Sequence, residues 1–399
     1  MEKQPEIIYI VDRYPSLSES FIRMEARELM KLGHTLRFIS LRKPGGDDLK
    51  VELLPEEKVL CLEEVYKKGL ARALAHLRLL FREPRPYLRG LAWMLKHRGA
   101  WRLFKAVPYL YDYAKDADWI HGTFAWDQAG YAMVLARLTG TPWSFTARAA
   151  DIFVNPRLLG LKMQEASFIA AITKYNQKLL IETLPEAEDK IHVIHSGHRG
   201  ERFDIKVRPP EDHVRITAVG RLVEKKGFTY LLKALSSARP RLALPLQCRI
   251  IGSGPLEEAL QEELRQLSLQ EEVKFIGALS PEETLQEIAS STMLVQPCVR
   301  AHNGDMDGIP NVLMEAMWLG VPVVSTRLSG IPELVEHEKT GLLAEPENVQ
   351  ELAAHIERLA GDEELRTELA TAGKAKVENE FNVCREALKL SRLIEQNIH

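Results

Sequence analysis

Short runs of β-branched and aliphatic residues alternate along this chain with longer stretches in which apolar residues recur every three to four positions. That alternation predicts parallel sheets covered by helices, an α/β fold, rather than an all-helical or all-strand design. In the first half, strands are expected at Ile7–Val11, Thr35–Leu41, Trp119–His121, Pro142–Thr146, Ser167–Ile172 and Lys190–His195. The pattern then restarts, with strands expected at Arg215–Gly220, Leu246–Gly252, Val273–Ile276, Met293–Pro297, Val321–Ser325 and Gly341–Ala344. Between the halves, Gly200–His213 carries Pro209-Pro210 and mixed charges with little periodicity, as an interdomain linker would. Amphipathic helices are expected at Asn348–Ala360 and Glu363–Asn379, and one more from Phe381 to His399.

The division that follows is an N-terminal Rossmann-like domain over residues 1–205, a C-terminal one over 206–380, and a last helix over 381–399 packing back toward the first. Each domain is expected to be doubly wound, with ligands outside the carboxyl ends of its strands, and a cleft between the two would hold the active site. A length of 399 residues agrees with two cores.

Charge narrows the partners. The net charge of −3 excludes a polycation that coats nucleic acid, so nucleic acid is not an expected partner. Cys61, Cys248, Cys298 and Cys384 are scattered without a Cys-x-x-Cys pair, and read as reduced thiols rather than zinc ligands or a disulfide framework. Met1-Glu2-Lys3 leads into a strand without an apolar leader, and no uncharged apolar run reaches the length of a membrane span. The expectation is a cytoplasmic protein, peripheral at the inner face of a membrane if a surface of the chain meets lipid. For the membrane reading the material is residues 67–105, where eleven Lys or Arg face the single acid Glu83 and are interleaved with leucines, Phe81, Trp93, Trp101 and Phe104. Such a composition suits a helical surface on anionic lipid, or equally a solvated face whose apolar side is core.

Candidate chemistry concentrates in the second half. The strand at Arg215–Gly220 ends in Gly220-Arg221-Leu222, followed by Lys225-Lys226-Gly227, so cations stand at a strand's carboxyl end, where a diphosphate would lie. A plain solvated basic turn would read the same. Leu246–Ile251 runs into Gly252-Ser253-Gly254-Pro255, a turn whose missing side chains let backbone amides approach a ligand. The strongest segment is Asp307-Gly308-Ile309-Pro310-Asn311-Val312-Leu313-Met314-Glu315. Pro310 fits a first helical position, which offers the amides of Asn311 and Val312 to a phosphate. Glu315 then lies about 7 to 8 Å along the axis, where a carboxylate can accept both hydroxyls of a ribose.

In this order and at these separations, Arg221 with Lys226, the Gly-Ser-Gly-Pro turn and the acid-x7-Glu segment resemble glycosyltransferase family 4, retaining enzymes of the GT-B fold. The resemblance covers nearly the whole chain and is densest from Ala218 to Pro346. It implies that Arg221 and Lys226 bind the diphosphate of a nucleotide-diphosphate sugar and stabilise its departure. It further implies that Glu315 binds ribose and that Asp307, where the family usually has Glu, holds hydroxyls of the transferred sugar; Gly308 belongs to the same segment.

In the first half, Trp119-Ile120 ends in His121-Gly122-Thr123, and the resemblance implies that His121 contacts the donor sugar near the reacting carbon from across the cleft. Thr146-Ala147-Arg148-Ala149-Ala150-Asp151 resembles a family pattern in which a histidine commonly precedes the Asp. Arg148 stands in that place and suggests an anionic acceptor group, such as a lipid-linked diphosphate. Tyr14-Pro15-Ser16-Leu17-Ser18-Glu19-Ser20-Phe21 resembles the exopolysaccharide and colanic-acid branch, and puts Ser18 and Glu19 on the acceptor side. Ser16 with Glu19 also forms a capping box, so helix initiation alone accounts for both.

For a double displacement a carboxylate is needed on the far face of the sugar. Asp127 and Asp151 are the available acids, and neither sits in a motif for that role. The expectation is therefore front-side substitution, with the departing diphosphate taking the acceptor proton and Arg221 and Lys226 stabilising its charge. No metal or other cofactor is expected, because the acid-x7-Glu pattern already accounts for Asp307 in Asp305-Met306-Asp307. The acceptor would be a glycan or a lipid-linked sugar. A nucleotide-sugar epimerase on the same architecture is the alternative, and a binding module without turnover a third reading.

Overall fold

The computed structural model describes residues 5–16, 19–46, 48, 53, 56–154, 156–198 and 209–398. Ser18 and residues 200–208 of the expected linker lie outside the described residues. Seven parallel strands form one sheet: β1 (Glu6–Arg13), β2 (Thr35–Arg42), β3 (Lys58–Cys61), β4 (Trp119–Gly122), β5 (Trp143–Ala147), β6 (Phe168–Ala171) and β7 (Ile191–Val193). Six more form the second sheet: β8 (Val214–Val219), β9 (Leu246–Ile251), β10 (Val273–Gly277), β11 (Met293–Val295), β12 (Val323–Thr326) and β13 (Leu342–Ala344). The spatial orders are β3-β2-β1-β4-β5-β6-β7 and β10-β9-β8-β11-β12-β13.

Both sheets are covered by helices on both faces, and this is why the central strand β1 is apolar from Ile7 to Val11. Ile7, Tyr9 and Val11 of β1 belong to one core and Ile8 and Ile10 to the core on the opposite face, all fully buried. In the second sheet the opposing faces feed two further cores, around Leu231, Leu235 and Ile356 and around Leu313, Met317 and Leu334. Every strand expected from the sequence is present. β3 was not among them: four residues at the sheet edge, with Lys58 exposed and the rest half-buried, are too short and too mixed to carry a period.

One compact unit takes Met1–Gly197 together with Val383–His399, and the other takes His198–Asn382. The helix Val383–Asn397 places Ala387, Leu390 and Ile394 in one core with Ile22, Ala26 and Leu29 of the helix Ser20–Lys31. Ser391 Oγ of that last helix is 2.7 Å from His34 Nε2.

In each sheet the winding changes direction between two neighbours, β1 and β4 in the first and β8 and β11 in the second. Diverging connections leave a crevice outside the carboxyl ends of such a pair. The loops after β1, β4, β8 and β11 are therefore where ligand chemistry is sought.

Candidate functional site

In the second unit the loop after β8 is clamped onto the loop after β11. Gly227 follows the short turn Glu224–Lys226 with φ of 71°, and a Cβ there would lie 1.8 Å from the Pro297 carbonyl oxygen, so only glycine fits. The same approach lets the Val299 amide donate to Lys225 O at 3.0 Å and Gln296 Nε2 to Lys226 O at 3.3 Å. Lys225 and Lys226 are thereby brought to the acids of the second loop. Lys226 Nζ donates to Asp307 Oδ2 at 2.6 Å, and Lys225 Nζ lies 3.2 Å from Asp307 Oδ1 and 3.1 Å from Asp305 Oδ2.

Burial works to raise the Asp307 pKa, but the ammonium groups of Lys226 and Lys225 outweigh it and hold the carboxyl below its usual value. Burial likewise works to lower Lys226, and the Asp307 charge reverses it, so that this ammonium stays protonated above its ordinary range. The Cys298 thiol, pushed up to about 12 by burial and by Asp307, is a neutral donor 3.7 Å from Asp307 Oδ2. Arg221 is exposed, with no ion-pair partner among the described residues. The result is an ionised, preorganised carboxylate with two ammonium groups and a guanidinium free to meet an anion.

The helix Asn311–Trp318 begins one residue later than the sequence implied. Pro310, with φ of −62° and ψ of 127°, is its cap rather than its first turn, and Leu313 N donates to Pro310 O at 3.0 Å. Asn311 and Val312 are then the first two helical residues, whose N–H groups precede the intrahelical ladder and point to the start of the helix. Glu315, half-buried, follows on the same helix, and Gly308 is fixed by its carbonyl, which accepts from Gly330 N at 3.2 Å.

The Gly252-Ser253-Gly254 turn, expected as an amide cradle, also has a packing role. Gly252 N donates to Gly277 O at 2.8 Å and is not available to a ligand. A Cβ on Gly252 would stand 2.1 Å from Gly220 O, and one on Gly254 2.5 Å from Leu222 O. Both glycines are required because this turn packs its backbone on the loop that carries Arg221, with Leu222 N donating to Ser253 O at 3.0 Å.

In the first unit the corresponding strand ends are folded inward. His121 is fully buried and not at a surface. Its Nδ1 is 2.8 Å from Ser144 Oγ and its Nε2 3.0 Å from Thr146 Oγ1, both on the neighbouring strand β5. Burial, with help from Arg148, lowers its pKa to about 3, so the ring is neutral and holds two hydroxyls. Arg148 is also interior: Nε donates to Thr123 O at 3.0 Å, Nη1 to Ser196 Oγ at 2.8 Å, and the guanidinium lies over the Phe21 ring at 4.4 Å. Its Nη2 is buried without a hydrogen-bond partner among the described residues. Burial pulls its pKa down against the charges of Glu25, Asp151 and Glu19 around it.

Asp151, expected on the acceptor side, is buried. Its carboxylate accepts from the amides of Ala125 at 2.8 Å, Ala149 at 2.6 Å and Arg148 at 3.1 Å, tying the loops after β4 and β5 together. Glu19 is no member of a capping box. The helix starts at Ser20 with Glu19 as its cap and no side-chain cap bond, and Glu19 Oε2 is buried without a partner among the described residues. Burial, then the nearby Asp12 charge, raise its pKa to about 7. Asp127 sits apart, held by Arg102 at 2.5 and 2.6 Å, on the wall of a cavity of about 370 Å³ that also takes in Asp12, Arg42, Trp126 and Arg157.

The structure thus joins Arg221, Lys226 and Asp307 in one place and His121, Arg148, Asp151 and Glu19 in another. Lys225 was missed as a partner of Asp307 and Asp305 as a partner of Lys225; the doubled lysine before Gly227 and the Asp-x-Asp spacing were their only marks in the sequence. Lys162 was missed altogether. It is buried, and its ammonium donates to Ala125 O, Trp126 O and Arg157 O at 2.6, 2.9 and 2.8 Å, beneath the cavity wall.

Residues 200–376 match the family described as glycosyl transferases group 1. The amylovoran biosynthesis glycosyltransferase AmsK of Erwinia amylovora is 37% identical over 209 residues, 52% of this chain and 51% of that protein. The putative colanic acid biosynthesis glycosyltransferase WcaL of Escherichia coli K12 is 39% identical over 199 residues, 49% of this chain and 48% of that protein. The alignments span about half the length of these curated relatives. Anabaena Alr3699/HepE, solved in complex with UDP and glucose, superposes with a TM-score of 0.70 at 17% identity, covering 98% of this chain and 100% of that one. That likeness shows the fold, the two Rossmann-like domains of the GT-B architecture. The epimerase reading finds no support among these relatives.

Proposed function

We propose that this chain is a retaining, metal-independent glycosyltransferase that moves a sugar from a nucleotide-diphosphate donor to a glycan or lipid-linked acceptor during exopolysaccharide assembly. The observation that carries the reading is the cation cluster where the second sheet diverges. Arg221 is exposed and, among the described residues, without an ion-pair partner beside the Lys226–Asp307 pair, within the region that matches the glycosyl transferases group 1 family. The diphosphate binds against Arg221 and the first amides of the helix Asn311–Trp318, where fixed dipoles and a mobile guanidinium meet an anion. Lys226 shares its charge between Asp307 and the leaving oxygen, and Asp307, kept ionised by its lysines, accepts hydrogen bonds from the sugar's hydroxyls. Glu315 takes the ribose. Both Asp305 and Asp307 are already neutralised by lysine, so the leaving group's charge is met by side chains without a cation.

Support for the donor class comes from the fold neighbour HepE, solved with UDP and glucose, and for polysaccharide assembly from the amylovoran and colanic acid relatives. The test is a thermal-shift screen of nucleoside-diphosphate sugars, followed by transfer to a lipid-linked acceptor and NMR of the product's anomeric carbon. A stabilising donor shifts the transition by mass action. The expected result is one stabilising donor, product of unchanged configuration and undiminished turnover in excess chelator. An inverted product overturns retention, loss of turnover in chelator overturns metal independence, and turnover of the sugar nucleotide to an epimer without acceptor overturns transfer.

A further inference from the structure

The helices Leu70–Arg82 and Pro84–Lys96, joined at Glu83, carry apolar side chains that nothing among the described residues covers. Leu70, Leu74, Leu77 and Phe81 recur at intervals of four, three and four residues, a stripe along one face of the first helix, and they are 76, 45, 46 and 82% exposed. On the second helix Leu88 and Leu95, seven apart, are 54 and 65% exposed, and Trp101 just beyond is 49% exposed. The composition alone did not separate these from the core. Trp93 and Phe104, which the sequence counted with them, are buried, and Trp93 Nε1 donates to Glu165 Oε1 at 3.2 Å.

A second, independent feature says what meets this face. Arg78, Arg85, Arg89, Lys96 and Arg98 are all exposed on the same stretch, and none has an ion-pair partner among the described residues. Elsewhere in the chain exposed cations are commonly paired, as Arg241 is with Glu357 and Arg358 with Glu338. Over residues 67–105 eleven Lys or Arg stand against one acid; Arg82 and Arg102 find Asp112 and Asp127 outside that stretch, and the five named cations are left as uncompensated positive charge around projecting leucines and a phenylalanine.

We infer that this face docks on an anionic lipid bilayer, with the Leu70–Phe81 stripe, Leu88, Leu95 and Trp101 entering the headgroup and upper acyl region and the free cations meeting lipid phosphates. Isolated protruding apolar side chains among long cationic ones fit a deformable surface, which can close around each of them. Uncompensated charge on the same face adds attraction that salt screens. No helix among the described residues is long and apolar enough to cross a membrane, so the contact is a peripheral one. This inference does not depend on the transfer reaction proposed above.

The test is sedimentation of the full chain with vesicles of phosphatidylcholine alone or with 30% phosphatidylglycerol. Binding to the mixed vesicles at least tenfold tighter than to the neutral ones, and weakened severalfold by 0.5 M salt, is the expected result. Two exposed-face variants, Leu77→Ser with Phe81→Ser and Arg78→Glu with Arg85→Glu, are each expected to lower that binding about tenfold while keeping the wild-type thermal transition. Equal binding to both vesicles, or wild-type binding by the serine variant, overturns the inference. Sedimentation equilibrium showing a dimer that the serine variant abolishes also overturns it, by assigning the face to a second copy of the chain.

Discussion

At the divergence of the first sheet the charged groups are inside, and at that of the second they are at the edge. Asp151 spends both carboxylate oxygens on backbone amides, Arg148 lies under Phe21, and His121 bonds two hydroxyls, each nine-tenths or more buried. Asp307, Lys225 and Lys226 keep 14 to 17% of their side chains exposed, and Arg221 is open to solvent. Both arrangements gather acids and cations at the carboxyl ends of parallel strands. What separates Asp151 from Asp307 is whether the carboxylate is compensated by fixed backbone, which a ligand cannot improve on, or by a neighbouring ion, which an incoming anion can compete for. The first kind of site holds loops in place; the second can do chemistry.

The largest effect that sharpens this contrast is on stability. Removing the Asp151 carboxylate leaves the amides of Ala125, Arg148 and Ala149 without their acceptor and Arg148 without one of its compensating charges. With about 1–3 kcal/mol for each of these amides left unpaired, Asp151→Ala should destabilise its unit by roughly 3–9 kcal/mol, read as a lower urea midpoint. A wild-type midpoint together with lost turnover would make Asp151 a ligand contact and dissolve the comparison. The second effect runs the other way. Arg221→Ala is expected to lower turnover about 10²–10³-fold, the usual loss when one donor to a developing charge is removed, while leaving the thermal transition in place. A destabilised Arg221→Ala, or one with unchanged kinetics, would move Arg221 into the structural class.

Much of this was legible in the sequence, and the part that was not has a physical cause. The apolar run Ile7–Val11 announced a strand buried on both faces, because that burial leaves no polar alternation, and the alternation of Leu246, Cys248 and Ile250 with Gln247 and Arg249 announced one with a more open face. Gly220, Lys226 and Asp307 marked the second site, since tight turns and paired charges leave their residue types in order along the chain. Whether a charged residue points in or out leaves no such mark. His121 and Arg148 stand at strand ends as Arg221 does, and only the register of β4 against β5, which sets His121 beside Ser144, turns the imidazole inward. The glycines of the Gly252–Gly254 turn were visible, yet their reason was a backbone neighbour from the loop after β8, a long-range contact that spacing does not encode.

The smallest effect tests the comparison where it is least symmetrical, at Glu19. This carboxyl lies in the first unit among Asp12, Asp48 and Arg148, yet unlike Asp151 it lacks amides on its buried oxygen. Its folded pKa of about 7 lies above the ordinary value of 4.5, chiefly through burial. Below pH 4.5 both folded and unfolded chains hold the proton, and the group costs nothing. As pH rises from 4.5 through 7 the unfolded chain releases its proton first, so stability falls across that window. At about 1.4 kcal/mol per pH unit the loss amounts to roughly 3–4 kcal/mol at pH 8. Glu19→Gln mimics the protonated form and should match the wild type at pH 4, then exceed it by about that amount at pH 8, read from urea midpoints at the two pH values. An equal difference at both would mean that Glu19 is satisfied as an anion, in the manner of Asp151. If instead the pH 8 gain appears and acceptor affinity falls with it, the unpaired oxygen is one that a ligand completes, and the first unit would hold a site of the second kind after all.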